Sequence, residues 1–170
     1  HLAAQEDDGK KEAAKQATGT AHLVRVPLPL VGDRDSEVIQ ALKKLADSGN
    51  ADQRIKVVLQ FEAEGDQSGD GSDYSRALNL SRYLTSEEAS NRLRMIAYLP
   101  GSVKGHAVLP VISCQQIIMS REGELGAAGI AERFIEPHMR QTYVEFSNRR
   151  GVIPPALAVG MLDAAEGVYQ

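Results

Sequence analysis

The chain has no tryptophan, three phenylalanines and a single cysteine in 170 residues, and no lysine follows Lys104. One cysteine excludes an intrachain disulfide, and Cys114 sits in an apolar run where a small buried hydrophobe is expected. Long hydrophobic runs are missing too. None, Ala107 to Ile112 included, comes near the roughly 20 apolar residues a membrane-spanning helix needs. Nor is there an excess of positive charge: the formal net charge is −4, so no basic field points to nucleic acid. Metal-ligand spacing is lacking as well. His22 and His138 stand far apart, and Asp66, Asp70 and Asp73 echo a calcium loop without its closing glutamate. No metal and no cofactor is expected.

What is present is ordinary globular composition, 42% hydrophobic and 25% charged, enough for one domain with a core. Residues 1–20 hold no large apolar side chain after Leu2 and read as a flexible leader. Residues 21–170 read as the domain. A chain opening on His1 and ending at Gln170 is expected to be a piece of a longer protein, or one trimmed of a targeting segment.

Within the domain, strand-like and helix-like stretches alternate. HLVRVPLPL (His22 to Leu30) is extended, since Pro27 and Pro29 forbid helix. Asp35 or Ser36 would cap a helix to about Ser48, with Val38, Ile39, Leu42, Leu45 and Ala46 on one stripe. Lys43 and Lys44 near its end suit the helix dipole, and Gly49 stops it. RIKVVLQF (Arg54 to Phe61) is nearly continuously apolar and predicts a parallel strand covered on both faces. A Gly/Asp/Ser loop leads to a helix from Ser72 or Asp73, and Thr85 with Glu88 has capping-box spacing for a short helix after it. Strands follow at Arg92 to Leu99, Gln115 to Ser120 and, briefly, Glu124 to Gly129. Helices are predicted over Pro137 to Arg150, with a Met139/Tyr143/Phe146 core stripe, and from Pro154 or Pro155 onward. The alternation predicts an α/β domain with a largely parallel sheet under helical cover.

Three segments in order resemble the Clp protease/crotonase superfamily, most of all its NfeD and signal peptide peptidase A branch. VVLQF with GDGSDYSRALNLSRYL resembles that family's strand, glycine turn and helix. YLPGSVKGHAVLPVISCQQIIMS resembles its strand, nucleophile turn, helix and strand, and ELGAAG the segment that follows. The resemblance covers about Ala21 to Gly151 and implies a spiral of ββα units. It also implies a serine peptidase in which backbone N–H groups form an oxyanion hole and a downstream lysine is the base. Placed by this resemblance, the serine slot falls on Gly105, followed by His106, and the missing downstream lysine removes the other half of the dyad. Pro110 falls where the family's helix runs uninterrupted. Gly69, Gly71 and the His106 amide occupy the oxyanion-hole-like positions.

The expectation is therefore a degenerate protease-like domain, a pseudoenzyme acting as a scaffold or peptide-binding module. The first alternative is an active serine peptidase using Ser102 with Lys104 or His106 in a shifted turn. A second is a crotonase-type acyl-CoA-binding enzyme, against which Leu109-Pro110-Val111 replaces the glycine cluster that lets a thioester approach. The resemblance also implies a homo-oligomer and a membrane-associated or exported protein, with a peptide or protein partner. His106, with no acidic partner placed by spacing, reads as a partly buried structural histidine.

Overall fold

The computed structural model of the protein describes residues 20–50, 53–63, 65 and 68–163; the expected leader, up to residue 19, and Asp66 lie outside them. The alternating pattern becomes β1 (Ala21–Leu28), α1 (Arg34–Ser48), β2 (Ile55–Ala63), α2 (Tyr74–Thr85), α3 (Glu87–Arg92), β3 (Leu93–Leu99), α4 (Val108–Ile112), β4 (Gln116–Met119), α5 (Pro137–Arg150) and α6 (Pro155–Leu162). A 3₁₀ turn, Gly105–Ala107, leads into α4. The chain is an α/β protein: the strands pair in the order β1-β2-β3-β4, every pair parallel, beneath helical cover. Among the described residues no helix is long and apolar enough to cross a membrane.

The strand order never doubles back, and right-handed crossovers then carry every connection across the same face of the sheet. On that face Val57, Leu59 and Phe61 of β2 and Leu93, Met95, Ala97 and Leu99 of β3 are buried under the helices. The opposite face is open. Its row Leu23, Val58, Ile96, Gln116 runs from a mostly exposed leucine through two half-buried aliphatics to an exposed glutamine. The expectation that β2 is covered on both faces is thus corrected, because the connections all lie on one side.

Several local expectations are also corrected. Arg34 begins α1, whose N-cap residue Asp33 makes no side-chain cap. Asp35, expected as a cap, is instead fully buried, accepting from Asn79 at 2.6 Å and facing Arg76 at 3.6 Å. Lys43 and Lys44 fall short of the last turn of α1. The cation at that end is Arg92, which donates to the carbonyls of Ala46 and Gly49 at 2.9 Å. Arg150 plays the same part elsewhere, donating to the carbonyls of Leu84 in the last turn of α2 and of Ser113 just after α4. The cap of α3 is Ser86, whose Oγ accepts from the Ala89 amide at 3.2 Å, while Thr85 turns its hydroxyl back to Ser81. The short strand expected at Glu124 to Gly129 shrinks to one bridge, Leu125 with Val103. Pro110 is accommodated because α4 has only five residues and the proline falls in its first turn, where a missing N–H costs little. The Met139/Tyr143/Phe146 stripe and Cys114 are buried, as the periodicity predicts.

Candidate functional site

Two loops at the carboxyl ends of β2 and β3 meet here. The first, Ser68–Asp73, is tied to the end of β1: Ser72 Oγ accepts from the Leu30 amide at 2.9 Å, and the Asp73 amide donates to Leu30 O at 2.9 Å. The second, Gly101–Ala107, is tied to the first by the Lys104 amide on Ser68 O, 2.7 Å. It is also tied to the chain after β4 by the Val103 amide on Glu124 O, 2.7 Å, and the Gly105 amide on Ala127 O, 3.1 Å.

Gly105 is buried and left-handed, with φ of +62°. A Cβ there would lie 2.7 Å from Asp70 Cα, 2.8 Å from Gly69 O and 2.9 Å from Asp70 O, closer than side chains and backbone approach one another. Gly69, at φ +89°, is nearly as confined, its own Cβ position 3.1 Å from Ala107 Cβ and Leu28 Cδ1. Two glycines thus let two backbones touch. The atoms nearest the Gly105 Cβ position are carbonyl oxygens and a Cα rather than amide hydrogens, and carbonyl lone pairs repel an oxyanion. Gly71 is exposed and lies near Pro29, 3.8 Å from its ring at the Cβ position. The structure therefore brings Gly69 and Gly105 together and leaves Gly71 aside.

Ser102 is half-buried on the strand-like approach to this turn. Neither proposed base is directed to it. The Lys104 amine stands 3.5 Å from Glu124, and both nitrogens of His106 are occupied. His106 is only 1% exposed. Its Nε2 lies 3.0 Å from Glu132 Oε1 and its Nδ1 3.3 Å from the Tyr143 hydroxyl, with the Tyr74 ring edge-on at 5.0 Å between centroids. A carboxylate only accepts, so Nε2 carries the proton and Nδ1 accepts from Tyr143. Burial lowers the His106 pKa, opposed in part by the bond to Glu132 and its charge. Burial also pushes the Tyr143 hydroxyl above its ordinary value, so that group stays protonated and donates. The thiol of Cys114, buried behind α4, is pushed up to about 12 by burial and is inert as a nucleophile.

Beyond Glu132 the loop after Ala127 opens into a cleft of about 910 Å³, bounded by α6 and the start of α5. Ile130, Phe134, Ile135, Met161 and Leu162 make its apolar wall, and Phe134 is 82% exposed. Among the described residues no three His, Cys, Asp or Glu side chains are grouped to hold a metal. His138 is exposed and pairs with Glu136 at 3.4 Å.

Comparison with family models and with curated proteins finds no match for this chain.

Glu132 and the Tyr143 hydroxyl escape sequence reasoning. They reach His106 across 26 and 37 residues, and no spacing rule joins a loop glutamate to a turn histidine at that separation. Tyr143 is legible only as part of an apolar stripe; its polar end finds its partner through tertiary packing alone.

Proposed function

We propose that the chain is a domain of the Clp protease/crotonase type, nearest its NfeD and signal peptide peptidase A branch. In this reading it works without catalysis, as a scaffold or peptide-binding module. The observation that carries the reading is the contact at Gly105: the position aligned with the nucleophile has no side chain, and the Gly69–Asp70 backbone fills the room a side chain and an acyl group would need. Support for the registration comes from the two turns the resemblance singles out, distant in sequence yet in contact. The spiral of ββα units, self-assembly and membrane association belong to the same reading and rest on the resemblance. The active-peptidase alternative asks Ser102 to be deprotonated by Lys104 or His106, both held by glutamates. The acyl-CoA alternative gains no observation.

A serine-reactive fluorophosphonate probe tests this. The expected outcome is no labelling of the native chain above that of its Ser102→Ala variant, read by mass spectrometry. Labelling at Ser102 that disappears in Ser102→Ala overturns the reading in favour of a peptidase.

A further inference from the structure

We infer that the cleft between the 127–137 loop and α6 binds a peptide segment carrying an aliphatic or aromatic side chain next to a lysine or arginine. The inference deepens the non-catalytic reading above and rests on it. The cleft, about 910 Å³, has the size of sites that enclose a ligand of several side chains. Its wall presents Ile130 at 55% and Phe134 at 82% exposure, large apolar side chains that the fold itself leaves uncovered. Clustered exposed apolar groups beside charges mark interaction sites rather than ordinary surface.

The charge requirement comes from Glu132. Its side chain is 30% exposed and lines the cleft, and its Oε1 is bonded to His106. The buried imidazole is neutral, so it satisfies a hydrogen bond without compensating the charge. Among the described residues no lysine or arginine stands within ion-pair distance of Glu132. Of the other charges around the cleft, Arg140 and Asp163 pair with each other, Glu136 pairs with His138, and Arg133, an exposed cation lining the cleft, forms no ion pair with Glu132. A carboxylate whose partner is a neutral imidazole keeps its charge and its second oxygen for a basic side chain brought by a ligand. The apolar wall beside it then takes the neighbouring side chain.

The test is fluorescence polarisation with blocked, labelled peptides that differ only in the residue beside a leucine: lysine, glutamine or glutamate. The lysine peptide is expected to bind about tenfold more tightly than the glutamate peptide, a preference that shrinks with added salt. Glu132→Gln, whose amide oxygen still accepts from His106, is expected to erase the preference. Phe134→Ala, at an exposed position that folding does not need, is expected to weaken all three peptides by about fivefold. Equal binding of the three peptides, a lysine preference surviving in Glu132→Gln, or no binding at all overturns the cleft assignment. So does a dimer in sedimentation that Phe134→Ala dissociates while peptides fail to bind, because the cleft is then a self-interface. Mass spectrometry of the peptides after incubation separates the two claims. A cleaved peptide overturns the non-catalytic reading, whereas intact peptides bound without charge preference overturn the cleft assignment alone.

Discussion

The turn at Gly105 and the cleft beyond Glu132 are neighbours joined through His106, yet they are built in opposite ways. At the turn, two glycines let backbone press on backbone, and polar groups that could serve chemistry are consumed by structure. In the cleft, large apolar side chains stay uncovered, and among the described residues no lysine or arginine pairs with the half-buried carboxylate of Glu132. One site is closed by packing, the other left open by it. The same group of loops can therefore press backbone on backbone at one end and leave large side chains uncovered at the other.

The sharpest way to break the comparison is to put a methyl group where the backbones touch. Gly105 and Gly151 share nearly the same left-handed φ, +62° and +66°, but a Cβ at Gly151 meets nothing within 4 Å. Gly151→Ala should cost about 1 kcal/mol for the conformation alone, whereas Gly105→Ala should cost about 3 kcal/mol or more once overpacking is added. Urea denaturation of the two variants reads the difference. Equal losses would mean that the turn is not packed as described.

The middle-sized effect concerns the histidine that joins the regions. Burial depresses the folded-state pKa of His106 below its ordinary 6.5, so the folded chain binds its proton less readily than the unfolded chain. That contribution is whole above about pH 6.5 and is lost as pH falls through the lower, folded-state value. Urea midpoints measured from about pH 8 down to about pH 5 should fall in the native chain and fall less steeply in His106→Gln. Parallel curves would remove His106 from the account. The smallest effect belongs to the cleft. Phe134→Ala should change stability by no more than about 0.5 kcal/mol, because an exposed ring contributes little to folding. A larger loss would show that Phe134 is covered in solution and would blur the contrast between the two regions.

How much of this was legible in the sequence follows from how each feature is encoded. The α/β class and most elements lie in local periodicity: Pro137–Arg150 appears as read, ended by left-handed Gly151, and Gln116–Met119 sits inside the expected strand. The crowding at Gly105 is not written in any local pattern, because the backbone it meets, Gly69 and Asp70, belongs to a separate loop. The misreadings arise where tertiary contacts overrule local preference. Asp35 sits where a cap is expected but is drawn inward to Asn79 and Arg76, and the cation at the end of α1 comes from Arg92, far along the chain. The Glu132–His106–Tyr143 chain and the cleft are illegible for the same reason, being made by a loop, a turn and two helices far apart in the sequence.

The unbroken strand order has a further consequence for how the molecule is made. Each new strand pairs with the one synthesised just before it, so no gap in the sheet waits for a segment still to come. The loops to be closed are single β-to-β crossovers, which keeps the entropy lost at each step small. Assembly can then proceed in the direction of translation, with the growing edge always formed by the most recent strand.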